Sequence, residues 1–330
     1  MTVSKATKVS LVTGASGFVA RYLISELLRR DEEAYIVGVD IIDWINREAS
    51  WDGRFENRKV DLIDAEATRR LIAELQPSRI CHLASFSSVS YSWEYPVESF
   101  NNNTNIFLNI LEAVRREDIK ARVLSIGSSE EYGNVSEHEV PLKETAPLKP
   151  TSPYGVARVS QELLSRVYVE GFGLDIVMTR SFNHIGPYQR EVFVIPGFIK
   201  QFTAAEKEGK REFILRTGDI DVVRDFSDVR DVVRAYAMLM EEGLAGEVYN
   251  VCSGKGQNLN DLIGSIGRLM GMKAEVLRDS ALGRPSENRI IVGDRTKISS
   301  LCGWAPSIPI EKTLSDTIEY WRSVSERQNA

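Results

Sequence analysis

The chain contains 330 residues, with 41 lysines and arginines against 47 aspartates and glutamates and a net charge of −6 at pH 7. This length is enough for a full hydrophobic core, and the acidic balance argues against a nucleic-acid or anionic membrane partner. No apolar stretch approaches the roughly 18 residues of a membrane helix, and residues 1–8 lack the apolar region of a secretory signal. We therefore expect a soluble cytoplasmic protein.

Three cysteines, Cys81, Cys252 and Cys302, lie far apart in the sequence. Two of them stand in or beside apolar, strand-like runs, which is typical of buried thiols. Their spacing gives neither a disulfide framework nor a metal-binding cluster, so we predict no metal site and no cysteine nucleophile.

The first predicted element, a strand over Val9–Thr13, ends in a glycine-rich turn that opens into a helix over Phe18–Arg30. Gly14, Gly17 and Ala20 form a G-x-x-G-x-x-A pattern, one register away from the common dinucleotide fingerprint. Glycines here allow a tight turn and a close approach to a pyrophosphate, while the helix N-terminus offers amide donors and a positive dipole. The turn is therefore predicted to bind a dinucleotide through Gly14, Ser16, Gly17, Phe18 and Val19.

The second predicted strand, Tyr35–Asp40, ends in a carboxylate 20 residues after Ala20. A carboxylate at this position accepts the hydroxyls of an adenosine ribose, and its charge would repel a 2′-phosphate. NAD is therefore favoured over NADP as the cofactor. Arg47 and Arg54 lie close enough in the sequence to keep NADP open, and a tight turn with Asp40 as a helix cap is the alternative without a cofactor.

Strand and helix patterns alternate through the first half of the chain, which indicates a parallel sheet covered on both faces. Further strands are predicted at 58–60, 79–83, 122–126 and 176–179, and further helices at Ala65–Leu75, 100–116 and 153–170. After residue 187 the regular alternation of strands and helices ends, and the predicted segments are shorter. These are helices at Val229–Glu242, 260–270 and 309–324, and strands at 246–251, 274–277 and 284–292.

These patterns predict an α/β fold, a Rossmann-type doubly wound parallel sheet with a smaller C-terminal substrate-binding lobe. Residues 1–184 would mainly form the NAD(P)-binding domain, to which residues 225–252 return. Residues 185–330 would mainly form the substrate lobe. A site between the two would lie at the carboxyl ends of the strands.

A candidate catalytic group follows the fifth predicted strand. Ser128 ends that strand, and Tyr154 and Arg158 lie four residues apart on the helix after a proline-rich loop, so both project from one helix face. A tyrosine, whose ordinary pKa is about 10, can exchange a proton during hydride transfer when a nearby cation favours its phenolate. Ser128 could hydrogen-bond the same substrate oxygen. The alternative is a Tyr–Arg pair on a solvated helix and a serine that caps a loop.

These residues resemble the extended short-chain dehydrogenase/reductases. The likeness rests on the turn at 13–20, on Asp61 and Leu62, on the segment His82, Leu83 and Ala84, and on Ser128 and Tyr154. The resemblance implies an NAD(P)-dependent enzyme in which Asp61 and Leu62 contact the adenine. It also implies that Ala84 and Ser85 line the nicotinamide side and that Leu83 belongs to the cofactor site.

Within that superfamily the chain resembles two families that modify GDP-activated deoxyhexoses, GDP-4-keto-6-deoxy-D-mannose reductase and GDP-mannose 4,6-dehydratase. The likeness rests on blocks at 127–133, 152–156, 182–187, 223–231, 248–254 and 284–287. It implies that Asn183 holds the sugar diphosphate and that Arg224 and Arg284 bind its phosphates, because a planar guanidinium matches two oxyanions. The residues expected near the sugar or an active-site water are Ser87, Ser88 and Asn103, of which Asn103 is also assigned to the cofactor site.

Two positions depart from those families. Their pattern is Tyr-x-x-x-Lys, whereas this chain has Arg158 four residues after Tyr154. A guanidinium is a permanent cation with five donors, so it can hydrogen-bond the ribose and favour the phenolate, but it cannot relay a proton. Asp40 is the second departure. Such reductases often carry basic residues after the second strand and use NADPH, whereas an acidic residue at the end of that strand resembles enzymes that hold NAD(H).

The leading interpretation is hydride transfer at C4 of a GDP-hexose or GDP-4-keto-6-deoxyhexose, carried by Ser128, Tyr154 and Arg158. A 4,6-dehydratase with Glu130 as an acid–base group is the alternative, and C4 dehydrogenation or epimerisation with retained NAD is a third. A dinucleotide or nucleotide-sugar sensor that lost its chemistry is the non-enzymatic alternative. By the resemblance we also expect a homodimer packed through the helices at 100–116 and 153–170.

Overall fold

The structure is a computed structural model and describes residues 8–43, 51, 53–279 and 288–327. The described strands are β1 (Val9–Thr13), β2 (Tyr35–Asp40), β3 (Phe55–Lys59), β4 (Arg79–His82), β5 (Arg122–Ser128), β6 (Asp175–Ser181), β7 (Asn183–Ile185), β8 (Glu212–Thr217), β9 (Val223–Asp228), β10 (Val248–Val251), β11 (Gly256–Asn258), β12 (Lys273–Arg278) and β13 (Ile290–Ile291). The described helices are α1 (Phe18–Arg30), α2 (Ala65–Leu75), α3 (Val89–Glu94), α4 (Pro96–Arg116), α5 (Pro153–Phe172), α6 (Val194–Lys207), α7 (Val229–Glu242), α8 (Leu259–Met270), α9 (Thr296–Cys302) and α10 (Ile310–Arg327), with short 3₁₀ turns at Ser129–Tyr132 and Glu137–Glu139. Among these helices, none is both long enough and apolar enough to cross a membrane.

Seven parallel strands form the main sheet in the order β3-β2-β1-β4-β5-β6-β10. The chain order reverses between β1 and β4, which pair through Leu11 with Ile80 and Thr13 with His82. In open α/β sheets such a reversal opens a crevice at the carboxyl ends of the strands, where ligands bind. The sheet confirms the predicted Rossmann-type doubly wound fold.

Helices cover both faces of the main sheet because its central strands are apolar, and all five residues of β1 are buried. α1 and α7 pack together on one face, where Leu23 and Tyr236 belong to one hydrophobic cluster. α2, α4 and α5 pack on the other face, where Ile72, Phe107 and Tyr168 share a second cluster. These two layers fix the strand ends from which the loops of the crevice begin.

A second, smaller sheet forms around β9, which pairs antiparallel with β11 and parallel with β7 and β13. β8 and β12 form a separate parallel pair. α6, α8 and α10 pack beside these strands around Phe202, Ile263 and Trp321. Asn183 on β7 pairs with Phe226 on β9, and a single residue, Phe182, separates β7 from the end of β6.

Several boundaries differ from the predicted ones. β3 begins at residue 55 instead of 58, and α4 begins at Pro96, since proline suits the first turn of a helix. The strand predicted at 284–292 contains β13, and residues 280–287 lie outside the described ones. Residues 226–228 pair with β7 in the smaller sheet, and α7, which follows them, packs against the main sheet. The sequence patterns do not predict α3, α6, α9, β7, β8, β9 or β11.

Candidate active site

The turn between β1 and α1 has the geometry that a bound phosphate requires. Gly14 has a φ of 67°, and a Cβ there would lie 2.8 Å from the backbone nitrogen of Ala84, so no larger residue fits. Gly17 is the N-cap of α1, and in the described part of the chain no side chain caps that end of the helix. The first amides of α1 are therefore left to an external acceptor, which fits a dinucleotide pyrophosphate.

Asp40 stands at the end of β2 beside this turn. Its Oδ2 accepts hydrogen bonds from Ser16 Oγ at 2.6 Å and Ser16 N at 3.1 Å, and its Oδ1 accepts one from the following backbone amide at 2.8 Å. The carboxylate is thus fixed where the adenosine ribose is expected. Arg54 is directed elsewhere, because its Nη1 donates to Leu28 O at 3.0 Å near the C-terminal end of α1. Arg47 lies outside the described residues.

A cavity of about 630 Å³ opens beyond the end of β3, at the expected adenine end of the crevice. Its walls include Ile41, Ile63 and Phe86 together with Asp61. Asp61 is exposed, whereas Leu62 is buried. Glu98 also lines the cavity, and apolar walls with two carboxylates suit a flat ring that carries polar edges.

Thr13 fixes the start of the loop after β4. Its Oγ1 accepts hydrogen bonds from the backbone nitrogens of Leu83 at 3.2 Å and Ala84 at 3.1 Å. Because both lone pairs are used, the hydroxyl donates to His82 Nδ1 at 3.0 Å, and the imidazole proton is placed on Nε2. Burial and the charge of Arg158 lower the pKa of His82 to about 3. His82 is therefore a neutral structural group.

Ser128 is the last residue of β5 and caps the 3₁₀ turn that follows. Its Oγ accepts a hydrogen bond from Glu130 N at 3.2 Å, while its backbone nitrogen donates to Glu131 Oε1 at 2.7 Å. Gly127 makes room for this carboxyl group, because a Cβ at residue 127 would collide with Glu131 Oε1. The reciprocal capping fixes Ser128 at the carboxyl end of β5.

A buried ionic cluster lies next to Ser128. Arg180 on β6 binds both carboxylate oxygens of Glu162 on α5, at 2.8 and 2.9 Å, and its Nε lies 3.9 Å from Glu131 Oε2. Burial, followed by the charge of Glu162, raises the pKa of Glu131. Burial alone would also raise the pKa of Glu162, but Arg180 and Arg166 outweigh this effect and lower it. The two carboxyl groups therefore share one buried guanidinium, and Glu131 retains its proton more readily.

Tyr154 lies in the first turn of α5, close to the 3₁₀ turn after β5. Ser152 caps this helix, since its Oγ accepts a hydrogen bond from Gly155 N at 3.0 Å. A Cβ at Gly155 would lie 2.8 Å from the carbonyl oxygen of Glu130, so the missing side chain allows the close approach. The structure thereby brings Tyr154 to the segment that carries Ser128 and Glu130.

Arg158 lies one helical turn after Tyr154, and its Cζ lies 5.1 Å from the centroid of the tyrosine ring. That distance is within the range of a cation–π contact. The arginine is buried, with 5% of its surface exposed, and its Nη1 donates to Ile126 O at 3.0 Å and to Gln161 Oε1 at 2.6 Å. The cation therefore stands beside the phenol, as the spacing predicts, while one of its nitrogens is bound by the protein itself.

Asn103 on α4 is fully buried. Its Oδ1 accepts a hydrogen bond from Phe86 N at 2.7 Å, and its Nδ2 donates to Phe86 O at 3.1 Å. Asn103 therefore fixes the loop after β4, which also carries the half-buried Ser85. Direct contact between Asn103 and a cofactor stays a prediction.

The predicted substrate residues that the structure describes lie in two places, the smaller sheet and the loop between β4 and α3. Asn183 is exposed at the start of β7, and Arg224 on the neighbouring β9 is mostly buried, with its Nη1 donating to Val223 O at 3.0 Å. Both lie in the smaller sheet, because Asn183 pairs with Phe226, two residues after Arg224. Arg284 lies outside the described residues.

Ser87 and Ser88 lie in the loop between β4 and α3. Ser87 is exposed. Ser88 caps α3, since its Oγ accepts a hydrogen bond from Tyr91 N at 3.2 Å. This capping bond uses one lone pair of the Ser88 hydroxyl. Contact between Ser88 and a sugar stays a prediction.

Three contacts of the site were not predicted from the sequence. Gln161 binds Arg158, and its position three residues later on the same helix face could have indicated this. Glu131 caps Ser128, which the S-x-x-E spacing could have shown. The ring of Phe18 stacks on His184, with centroids 6.2 Å apart, and this pair joins residues too distant in the sequence for any local pattern.

The crevice combines a glycine-rich turn whose geometry suits a dinucleotide with a phenol beside a fixed cation. That combination defines the class, a short-chain dehydrogenase/reductase of the extended type. A family model described as GDP-mannose 4,6 dehydratase matches residues 11–317. The chain belongs to the GDP-mannose 4,6-dehydratase family.

Individual relatives agree with this assignment. The GDP-6-deoxy-D-mannose reductase of Pseudomonas aeruginosa is 32% identical over 317 residues, which cover 96% of this chain and 98% of that protein. The solved structure of RMD from Pseudomonas aeruginosa complexed with NADPH has a TM-score of 0.83 and 31% identity, covering 96% of this chain and 100% of that one. The UDP-glucose 4-epimerase of Thermus thermophilus in complex with NAD has a TM-score of 0.83 and 27% identity, covering 95% and 99%. The relatives thus include both NADPH-bound and NAD-bound enzymes.

Proposed function

We propose that this protein is a nucleotide-sugar oxidoreductase that transfers hydride at C4 of a GDP-linked 4-keto-6-deoxyhexose. The observation that carries the proposal is the buried Arg158 guanidinium, 5.1 Å from the Tyr154 ring, at the end of the strand that carries Ser128. The family and the reductase relative at 32% identity support the nucleotide sugar as the substrate. We further propose that residues 1–184, with 225–252, mainly bind the dinucleotide and that residues 185–330 mainly bind the sugar nucleotide.

In this proposal the dinucleotide, when bound, supplies the hydride for C4. Tyr154 donates its phenolic proton to the sugar oxygen, and Ser128 hydrogen-bonds the same oxygen. Arg158 favours the phenolate that remains, because a fixed positive charge stabilises a neighbouring anion. Asn183 and Arg224 orient the sugar diphosphate from the smaller sheet.

The test is an assay with GDP-4-keto-6-deoxy-D-mannose and reduced dinucleotide, followed by nicotinamide absorbance and by the mass of the sugar product. We expect dinucleotide oxidation and a product two hydrogens heavier than the substrate. Binding of the dinucleotide without turnover on any GDP-linked hexose would support the sensor alternative instead.

A 4,6-dehydratase is the second candidate, supported by the family model, and Glu130 would be its acid–base group although reductases carry the same acid. This acid follows Ser128 by two residues, and its backbone lies against Gly155 in the first turn of α5. It is thus close to the proposed proton donor and could exchange protons at C5 and C6. Incubation with GDP-mannose and NAD separates the two functions, because a dehydratase product is lighter by one water. Loss of that activity in Glu130→Gln would assign the acid–base role.

The cofactor proposed is NAD, with Asp40 as the selecting residue. The carboxylate fixed by Ser16 would accept ribose hydroxyls and repel a 2′-phosphate. We expect Asp40→Ala to weaken NAD binding about tenfold and to reduce the discrimination against NADP, as measured by isothermal titration calorimetry. Arg54→Met is the matched control and should leave the NADP affinity unchanged, because this arginine binds the end of α1. Tighter binding of NADP than NAD by the natural protein would contradict the assignment.

We also propose a homodimer in the cytoplasm, with the paired helices α4 and α5 as its interface. Val156, Leu163 and Val167 form an exposed apolar stripe along α5, and Val97 and Phe100 are exposed on the adjacent α4. A second copy would cover this surface, which is apolar beyond what single exposed side chains explain. The buried thiols of Cys81 and Cys252 suit a reducing compartment.

Light scattering coupled to gel filtration tests the dimer. We expect the natural protein to elute at twice the chain mass and Leu163→Glu with Val167→Glu to elute as a monomer, because burial of two carboxylates opposes association. Leu244→Glu, which changes an exposed leucine after α7, should remain dimeric. A natural protein at the mass of one chain would refute this interface.

A further inference from the structure

The guanidinium of Arg158 is anchored to the protein at one end. Nη1 makes two hydrogen bonds, to Ile126 O and Gln161 Oε1. Within the described residues Nε is buried and has no hydrogen-bond partner, and no hydrogen bond is formed by Nη2. The donors of Nε and Nη2 are therefore the ones that the described residues leave without an acceptor.

Gln161 is itself tightly fixed. Its side chain is 1% exposed, and its Nε2 donates to Ser125 Oγ at 2.9 Å and to Ile126 O at 3.2 Å. Ser125 also accepts a hydrogen bond from Ser165 Oγ at 3.2 Å. Because each amide atom of Gln161 has a partner, its Oε1 can point in one direction, toward Arg158.

The shape of a guanidinium explains why such a fixed acceptor matters here. Its five donors are spread over a planar fork, so one end can be anchored while the other end faces a ligand. An ammonium is a single point charge at the end of a shorter chain and cannot occupy both places at once. A guanidinium that no acceptor holds could rotate about the side-chain torsions of the arginine, and its donors would then turn away from the phenol.

We propose that Gln161 is a positioning residue, which anchors Arg158 so that the other edge of its guanidinium faces Tyr154 and the dinucleotide. This inference rests on the proposed dinucleotide chemistry of the site. It assigns a defined role to a residue outside the catalytic group. The anchor is specific to an arginine at position 158.

The test compares Gln161→Met in two backgrounds, the natural chain and Arg158→Lys. In the natural background we expect the KM and the Kd for the dinucleotide to rise and its kcat/KM to fall about tenfold, while the KM for the sugar nucleotide is unchanged. In the Arg158→Lys background the same change should alter kcat/KM less than about twofold, because a lysine does not use the anchor. A structural role alone would lower kcat equally in both backgrounds without moving the dinucleotide KM.

Two further variants keep the inference testable if Gln161→Met folds poorly. Ser125→Ala removes one partner of the Gln161 amide with little change in volume, and we expect a smaller rise of the dinucleotide KM in the same direction. Ser165→Ala is the matched control, since Ser165 is equally buried but bonds the backbone carbonyl of Gln161 and Ser125 Oγ, and not the side-chain amide of Gln161. An unchanged dinucleotide KM in Gln161→Met and Ser125→Ala, or an equal loss in both backgrounds, would overturn the inference.

The failure of this inference is distinguishable from the failure of the proposed function. Titration of the natural protein with NAD and NADP reports whether the site binds a dinucleotide at all, and the sugar assay reports whether it turns over. If both succeed and the Gln161 variants match the natural protein, the anchor alone is refuted. If neither dinucleotide binds, the proposed function is refuted together with the inference.

Discussion

Two buried arginines lie near the end of β5, and they are held in opposite ways. Arg180 is 2% exposed and binds Glu162 through two hydrogen bonds, with Glu131 nearby. Arg158 is 5% exposed, and its acceptors among the described residues are a backbone carbonyl and the amide oxygen of Gln161. One positive charge is matched by carboxylates, whereas the other is held by neutral dipoles.

The difference separates a structural charge from a charge available for chemistry. The charge of Arg180 is compensated by the neighbouring carboxylates, so this arginine mainly holds β6 against α5. The field of Arg158 is not cancelled by a carboxylate in the described residues, and in a low-dielectric site it acts on the adjacent phenol. A buried cation without a countercharge destabilises the fold unless a ligand or a reacting group uses it.

The sharpest test of this contrast removes the tyrosine hydroxyl beside each arginine in turn. Tyr154→Phe should lower kcat about a thousandfold, because the group that gives and takes the proton is lost, while dinucleotide binding persists. Tyr132→Phe is the matched control, since Tyr132 lies against Arg180, with the arginine Cζ 4.8 Å from its ring. We expect that variant to keep kcat within about threefold. Equal losses in steady-state assays of the two variants would remove the distinction.

The second test removes each arginine in turn and measures stability by urea unfolding at pH 7. Arg180→Met should cost about 3–5 kcal/mol, because it leaves buried carboxyl groups without their cation. Arg158→Met should change stability by about 1 kcal/mol, since a buried charge and its neutral hydrogen bonds leave together. The losses of activity should have the opposite order, because Arg158→Met is expected to lower kcat about a hundredfold. A larger loss of stability in Arg158→Met would contradict the comparison.

A smaller effect should appear in the pH dependence of stability. Burial and Glu162 raise the folded pKa of Glu131 above its ordinary value of 4.5. Its contribution to stability is therefore fully present below that ordinary value and is lost as the pH rises through the folded pKa. Glu131→Gln should flatten the decline in unfolding free energy between about pH 5 and pH 8, measured by urea unfolding at several pH values.

Glu162→Gln gives the opposite sign and serves as the control for that experiment. Its folded pKa is lowered by Arg180 and Arg166, so its contribution is present above the ordinary carboxyl value and is lost as the pH falls. The variant should therefore flatten the acid side of the stability curve. The same slope change in both variants would show that the two carboxyl groups do not titrate in opposite directions.

Local patterns determined a large part of this protein. The alternation of strands and helices, the glycine turn, Asp40 after β2 and the four-residue spacing of Tyr154 and Arg158 could all be predicted, because helix periodicity, strand length and turn chemistry act over a few residues. The same spacing also placed the phenol and the cation on one helix face. These features fix the fold class and the place of the site.

The tertiary structure decided what each of those groups binds. Arg158 binds Ile126, 32 positions away in the sequence, Asn103 binds the backbone of Phe86, and Arg54 binds the end of α1. No local pattern encodes such partners, because hydrogen bonds and charge pairing in a buried site depend on which strands and helices pack together. The sequence by itself thus determined where the reacting groups stand, while only the folded chain decided that one buried arginine meets carboxylates and the other meets neutral dipoles.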